Sequence, residues 1–180
     1  MGKKVSKNAE NKASNVMQWY KVPEKMYFKR GALDLALREL KGRKKAFIIS
    51  HRFLFNSGAT QAVTRILDDI KIGHEIFFDI KPDLTLTSLK EAYSIMKPYS
   101  PDVVIGFGGG SAMDAAKLLW LKNQQSDFDF GDISMCFTDI NKNVRNIDKV
   151  SKKSVLVCIT TTSGTGSEVT PFSILTDEKT

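Results

Sequence analysis

The stretch Asp102-Val-Val-Ile-Gly-Phe-Gly-Gly-Gly-Ser-Ala-Met-Asp-Ala-Ala-Lys117 decides the fold of this chain. An apolar run leads into three glycines and a serine. A helical pattern then begins at once, because alanine and leucine side chains recur at spacings of three and four residues. The stretch therefore predicts a strand, a tight turn and the start of a helix.

The glycines of this turn, Gly108, Gly109 and Gly110, suit a site that binds an anion. Glycine has no Cβ, so a bound group can approach the backbone closely. The unpaired N–H groups at a helix start and the helix dipole both favour negative charge. We therefore expect a phosphate or pyrophosphate, and hence a nucleotide. A plain strand-to-helix turn is the alternative, since the stretch matches neither G-x-G-x-x-G nor a Walker loop.

Three polar residues beside the glycines admit both structural and functional interpretations. Ser111 can cap the helix, and Asp114 three residues later can complete a capping box. Lys117 lies one turn after Asp114 and can pair with it on the helix surface. In the functional interpretation, Ser111 and Asp114 belong to the ligand site that the glycines predict.

Length and charge limit the class of protein. The chain has 180 residues and a net charge of +7. Four lysines and Glu10 in residues 1–15 contribute +3 of that charge. The rest is spread out without interleaved aromatic residues, which argues against nucleic-acid binding. We interpret residues 1–16 as a flexible linker or tail and residues 17–180 as one domain.

Two cysteines, Cys136 and Cys158, show no metal-ligand spacing and are too few for a disulfide framework. No apolar stretch is long enough to span a membrane, and the N-terminus lacks the apolar core of a secretory signal. We therefore expect a cytoplasmic protein with reduced thiols and no membrane partner.

Strand and helix patterns alternate along the chain. Apolar runs predict strands at 45–50, 75–79, 102–107 and 155–160, with a further candidate at 172–176. Stripes with a period near 3.6 predict helices at 31–40, 59–70, 89–96 (ended by Pro98) and 111–122. An extended segment or hairpin is expected at 19–28. The order is typical of an α/β fold with a parallel sheet covered on both faces.

Four segments meet at the carboxyl edge of this sheet, where such folds bind ligands. They are His51, residues 79–83, the glycine turn and residues 160–168. The last segment contains six hydroxyl residues and two glycines. Its donors suit a ribose, a phosphate or an amide, although a solvated loop of turn-forming residues has the same composition. The convergence favours a ligand site.

The two histidines do not suit a shared metal ion. His51 follows the first strand, whereas His74 precedes the second, so the two side chains belong to opposite edges of the sheet. The sequence shows no other cluster of histidines and carboxylates, and no catalytic triad.

Two motifs together resemble the iron-dependent alcohol dehydrogenases. They are Gly108-Gly-Gly-Ser-x-x-Asp-x-x-Lys117 and Thr160-Thr-Thr-Ser-Gly-Thr-Gly-Ser-Glu-Val-Thr170. Residues 19–31 are similar to the start of the alcohol dehydrogenase half of bifunctional aldehyde–alcohol dehydrogenases. The resemblance extends from about residue 5 to residue 180.

The resemblance implies a Rossmann-like, dinucleotide-binding domain over residues 17–180. This domain is the N-terminal half of a dehydroquinate synthase-like fold, in which the nicotinamide cofactor lies in a cleft beside a C-terminal helical domain. The implied cofactor-binding positions are Gly108, Gly109, Gly110 and Ser111 at the pyrophosphate with Asp114 nearby, Thr161, Thr162 and Thr165 near the adenine or phosphates, and Asp83 in a loop at the adenosine end.

Two features depart from the family's pattern. The family holds its Fe²⁺ with one Asp and three His of the helical domain, and those positions would lie after Thr180. The family often has Asp where this chain has His51. An Asp there binds the adenosine ribose and repels a 2′-phosphate, whereas histidine does not repel it. The implied cofactor is therefore NAD or NADP.

The resemblance implies the cofactor-binding half of an alcohol dehydrogenase that moves hydride between NAD(P)H and a short aldehyde such as acetaldehyde. The full-length enzyme would be a homo-oligomer, and residues 1–180 alone are expected to be inactive. Two alternatives stay open: a fragment of a glycerol dehydrogenase-like or dehydroquinate synthase-like enzyme, and a non-catalytic module that binds nucleotide.

Overall fold

Helices and strands alternate along the chain in the computed structural model, which describes residues 23–125, 130 and 153–176. The elements are, in order, α1 (Ala32–Arg38), β1 (Lys45–Ile49), α2 (Arg52–Asn56), α3 (Gln61–Asp69), β2 (Gly73–Phe77), α4 (Leu86–Tyr99), β3 (Val103–Gly108), α5 (Gly110–Gln124) and β4 (Val155–Thr160). The predicted tail at 1–16 and Cys136 lie outside the described residues.

The strands form one parallel sheet in the order β2-β1-β3-β4. Ile48 of β1 lies opposite Ile76 of β2 on one side and Ile105 of β3 on the other. β3 is buried from its first residue to its last, as expected for a continuous apolar strand in the middle of a covered sheet. The predicted α/β class with a parallel sheet is confirmed.

Two apolar clusters cover the two faces of the sheet. Phe47 and Val104 pack on one face against α4 and α5. Ile48 and Ile105 pack on the other face against α1 and α3. Neighbouring residues of a strand serve opposite faces because side chains alternate along it. Burial of each such side chain stabilises the fold by about 1.5–3 kcal/mol. Among the described residues, no helix combines the length and the apolar character that a membrane span requires.

The boundaries of two elements differ from the sequence prediction. β2 begins at Gly73 and ends at Phe77, two residues earlier than the apolar run suggested. α4 does not end before Pro98 but runs one residue beyond it. The helix stops where Ser100 adopts a left-handed conformation with φ 52°, followed by Pro101. Pro98 has no backbone N–H to donate. Because it lies in the last turn of α4, the lost hydrogen bond is at the end of the helix and not in its middle.

The two outermost segments are not the strands that were expected. Residues 23–28 contain no strand or hairpin in the described part of the 19–28 segment. Residues 172–176 form a single bridge, between Thr176 and Thr85. The backbone of Thr176 donates to Leu84 O at 2.9 Å and accepts from Leu86 N at 3.2 Å. Residues 170–176 are therefore a strap that reaches the start of α4, and not a fifth strand.

The amino edge of the sheet is closed by one carboxylate. Asp102 accepts the N–H of Lys44 at 2.9 Å and the N–H of Lys45 at 2.8 Å. Its own N–H donates to Lys45 O at 3.0 Å. The side chain thus joins β1 and β3 immediately before their paired residues begin, at Ala46 and Val103.

Candidate functional site

We call the region at the carboxyl ends of β1 and β3 the crevice, because the connections that follow these two strands diverge there. After β1 the chain passes to α3, which packs on one face of the sheet. After β3 it passes to α5, which packs on the opposite face. The two connections leave neighbouring strands in opposite directions, and ligands of α/β sheets bind at such a switch point.

The glycine turn lies on one side of this crevice. Gly109 is the N-cap of α5 and has no side-chain cap, and its carbonyl accepts from Met113 N at 3.2 Å. The N–H groups before Met113 have no acceptor within the helix, as in any first helical turn. A Cβ on Gly108 would lie 2.9 Å from Ala112 Cβ and 3.0 Å from His51 Cδ2. The turn therefore has no room for a side chain at Gly108.

Residues 160–168, which we call the hydroxyl loop, pack directly on the glycine turn. Thr161 N donates to Gly108 O at 2.9 Å. A Cβ on Gly109 would lie 3.4 Å from Thr162 Cγ2. A Cβ on Gly110 would lie 3.3 Å from the hydroxyl of Ser167 and 3.7 Å from a methyl carbon of Thr165. The structure thus brings residues 160–168 to the glycines, as the shared edge predicted, and Thr161, Thr162 and Thr165 lie within that contact.

His51 follows β1 after Ser50 and is the N-cap of α2, without a side-chain cap hydrogen bond. Its ring nitrogen Nδ1 is 2.8 Å from Ile80 O. The ring lies close to Gly108, so His51 stands between the ends of β1 and β3. His74 is the second residue of β2, at the opposite edge, as predicted.

The segment that carries Asp83 is tied to the glycine turn by a serine. Ser111 does not cap α5 as the capping-box interpretation proposed, since the N-cap is Gly109 and has no side-chain hydrogen bond. Its hydroxyl donates instead to Pro82 O. Asp83 is exposed and follows Pro82 directly. The Ser111 contact therefore keeps the Asp83 loop at the rim of the crevice.

Asp114 and Lys117 form a buried pair rather than the surface pair that the sequence suggested. Their side chains are 7% and 11% exposed, and Lys117 Nζ lies 3.1 Å from Asp114 Oδ1. The second carboxylate oxygen accepts from Ile174 N at 3.1 Å. Asp114 thus lies beneath the glycine turn with both oxygens bound to the chain's own groups.

Several polar groups near the crevice were not singled out from the sequence. Ser50 is fully buried, and its hydroxyl donates to Phe107 O at 2.9 Å, which joins the ends of β1 and β3. Ser167 is 9% exposed. One carboxylate oxygen of Glu168 is enclosed without a hydrogen-bond partner in the described part of the chain. The sequence could have indicated Ser50, because this serine ends an apolar run. For Ser167 and Glu168 it offered no indication except that they belong to the hydroxyl loop.

The site fits a dinucleotide better than it fits a metal ion. Backbone amides, glycines and hydroxyls are the groups that bind a pyrophosphate and a ribose. Within residues 23–125, 130 and 153–176, no group of three or more His, Cys, Asp or Glu side chains could hold a metal ion.

Residues 23–180 match the family described as iron-containing alcohol dehydrogenase. The chain belongs to this family. It is 41% identical over 180 residues to the bifunctional aldehyde-alcohol dehydrogenase AdhE of Escherichia coli (strain K12), covering 99% of this chain and 20% of that protein. The chain thus spans about one fifth of the length of that curated relative.

Solved structures of related proteins share the fold. An iron-containing alcohol dehydrogenase from Thermococcus thioreducens superposes with a TM-score of 0.77 at 23% identity, covering 90% of this chain and 41% of that one. Sulfoacetaldehyde reductase from Bifidobacterium kashiwanohense, solved in complex with NAD⁺, superposes with a TM-score of 0.70 at 25% identity, covering 91% of this chain and 41% of that one.

Proposed function

We propose that this chain is the dinucleotide-binding part of an alcohol dehydrogenase that interconverts a short aldehyde, such as acetaldehyde, and its alcohol. The proposal includes a bifunctional aldehyde–alcohol dehydrogenase as the parent protein. The observation that carries it is the contact between the glycine turn and the hydroxyl loop. These two segments, 51 residues apart between Gly109 and Thr160, meet at the edge where parallel sheets bind nucleotides.

Different groups of the chain hold different parts of the cofactor. The first amides of α5 face the pyrophosphate, and the helix dipole adds to their attraction for its charge. Gly109 leaves the space that this close approach requires. The hydroxyl loop offers donors from Thr161, Thr162 and Thr165. His51 and the Asp83 loop border the adenosine end.

This arrangement positions the cofactor and does not itself carry out the reaction. When bound, the nicotinamide ring supplies or accepts the hydride. The described residues contain no metal ligand set, so the step at the aldehyde is not assigned to any of them. Their contribution is a fixed orientation of the dinucleotide, and orientation of this kind supplies much of an enzyme's rate advantage.

Calorimetric titration of chain 1–180 with ADP-ribose, NADH, NADPH and adenosine tests the proposal. ADP-ribose carries the adenosine and the pyrophosphate without the nicotinamide, so we expect it to bind about as well as the whole cofactor. Adenosine lacks the pyrophosphate and is expected to bind at least about tenfold more weakly, because the anion contacts are missing. Failure of ADP-ribose to bind the folded chain, or equal affinity for adenosine, contradicts the proposal.

A further inference from the structure

We propose that Asp114 and Lys117 form a latch that positions the hydroxyl loop on the glycine turn without touching the ligand. The inference rests on the proposed function for its ligand, but the latch itself is a property of the chain. Both residues lie on α5, one and two turns after the glycines. They are positioning residues, because both act through the strap of residues 170–176.

The latch contacts the strap at three points, the first of which is the hydroxyl of Thr170, 3.5 Å from Lys117 Nζ. Lys117 Nζ donates to Phe172 O at 2.7 Å. Asp114 Oδ2 accepts from Ile174 N at 3.1 Å. The two side chains are joined to each other at 3.1 Å. The ion pair therefore joins the strap to α5 at Thr170, Phe172 and Ile174.

The pair is largely shielded from water, so its contacts are strong and each charge requires a partner. A buried charge is tolerated only when it is paired and hydrogen-bonded. Lys117 and Asp114 pair with each other, and each also forms a hydrogen bond with the strap backbone. Phe172 and Ile174 point their side chains outward, at 72% and 71% exposure, so apolar packing of those side chains does not hold this part of the strap. The polar latch holds it, together with the backbone hydrogen bonds of Thr176 to Leu84 and Leu86 and the packing of Leu175 against the core.

The latch holds the strap, which begins two residues after the hydroxyl loop ends, and thereby limits the movement of the far end of the loop. The near end is held where Thr161 N donates to Gly108 O at 2.9 Å. Between the two fixed ends, Thr162 and Ser167 lie against Gly109 and Gly110. A loop held at both ends is pre-organised for a ligand, and pre-organisation lowers the entropy that binding must overcome. Opening the latch should therefore loosen the loop and weaken nucleotide binding.

A double variant, Asp114→Leu with Lys117→Met, tests this without leaving one buried charge unpaired. Replacing a buried ion pair by apolar side chains of similar size is often neutral for stability, whereas removing one partner is strongly destabilising. We expect the double variant to keep its thermal midpoint near that of the wild type. The control is Arg38→Met, which removes the exposed ion pairs of Arg38 with Asp34 and Asp69.

Hydrogen exchange distinguishes a latch from a simple contact. The informative amides are Thr161 N–H and Val169 N–H, which donate to Gly108 O and Gly166 O and do not touch the latch. In the double variant both should exchange at least about tenfold faster, because the loop opens locally more often. The amides of β1 should not change, and Arg38→Met should leave all of them at wild-type rates.

Nucleotide affinity is the second measurement. ADP-ribose should bind the double variant about tenfold more weakly than the wild type, with the fold intact. Wild-type exchange at Thr161 and Val169 in the double variant overturns the latch, whatever the ligand result. Faster exchange with unchanged ADP-ribose affinity overturns its role in positioning the loop. If the wild-type chain binds no ADP-ribose, the proposed function fails while the exchange result still decides the latch.

Discussion

His51 and Ile80 are joined by a contact of 2.8 Å between the ring nitrogen Nδ1 and the backbone carbonyl oxygen. A carbonyl oxygen can only accept a hydrogen bond, so Nδ1 carries the hydrogen. In the neutral ring the other nitrogen, Nε2, is then an acceptor. The end of β1 thus offers an acceptor without the negative charge that a carboxylate would bring.

Replacing His51 by Asp should shift the cofactor preference toward NAD. The imidazole can accept a hydrogen bond from a ribose hydroxyl and does not repel a 2′-phosphate. A carboxylate also accepts that hydrogen bond, but its negative charge repels the 2′-phosphate. We expect the ratio of the Kd for 2′,5′-ADP to the Kd for 5′-ADP to rise about tenfold, or ~1.4 kcal/mol. Calorimetry on chain 1–180 measures both constants.

His74→Asp is the matched control for this change, because His74 lies at the opposite edge of the sheet. It adds the same charge to the chain and should leave the ratio unaltered. An unchanged ratio in His51→Asp would show that the ring does not face the ribose.

Gly109→Val should weaken ADP-ribose binding by at least about tenfold. The backbone at Gly109 has φ −83° and ψ −168°, which a valine adopts readily. Its Cβ would meet Thr162 Cγ2 at an ordinary 3.4 Å. The fold should therefore survive while the pyrophosphate loses its close approach.

Gly73→Val at the amino edge is the control, since a Cβ there meets its neighbours at 3.6 Å. It should bind ADP-ribose normally. Equal affinities of wild type and Gly109→Val, with thermal midpoints matched, would remove the glycine turn from the site.

Gly106→Ala should destabilise the fold rather than affect the ligand site. A Cβ on Gly106 would lie 2.8 Å from Ala116 Cβ and 3.0 Å from Met113 Cα, in the contact between β3 and α5. Overpacking of this kind costs about 1–3 kcal/mol, which urea unfolding would measure as a lower midpoint at constant slope. A variant as stable as the wild type would show that α5 can move away from the sheet without cost.

Cys158 should react slowly with thiol reagents in the folded chain. Burial raises the pKa of the Cys158 thiol to about 11; Asp114 and Glu168 add to the rise and Lys117 opposes it. The thiolate is the reactive form. At pH 8 the folded chain therefore holds about a hundredfold less of it than an ordinary thiol with a pKa of 9.0.

The rate of modification by iodoacetamide, followed in a Cys136→Ser background, measures this protection. Modification in urea should be about a hundredfold faster than in buffer at pH 8. Similar rates in both conditions would mean that Cys158 is reached without unfolding.

Chain 1–180 should not oxidise alcohols, with or without added Fe²⁺. The described residues contain no cluster of His, Cys, Asp and Glu able to hold a metal ion. His51 and His74 cannot form one, because they lie at opposite edges of the sheet. Nicotinamide absorbance with NAD(H), NADP(H) and ethanol or acetaldehyde tests this. Turnover that follows the protein through purification would place a complete site within these residues.

The arrangement of the sheet could be predicted from the sequence because its strands are continuous apolar runs. β1 and β3 were predicted within one residue of their ends. β2 was displaced because Gly73 and His74 are weak strand formers that pair only in the presence of β1. α2 was missed because its five residues are too short to show a helical period.

The side-chain contacts of the candidate site were harder to predict than the meeting of its segments. The shared carboxyl edge placed His51, the glycines and the threonines together without knowledge of any contact. The burial of Asp114 could not be predicted, since it depends on a strap that returns from Phe172 and Ile174. Ser111 likewise finds its partner, Pro82 O, 29 residues away along the chain. Such long-range contacts leave no local signal.

Asp102 holds β1 and β3 together at the edge that carries none of the candidate ligand residues. Asp102 thus aligns the strands at the amino end, in addition to the contact of Ser50 with Phe107 at the carboxyl end, where the candidate site lies. Substitutions around His51 can accumulate without shifting the strands past each other. The carboxyl edge is thus free to change in sequence while the framework keeps its alignment.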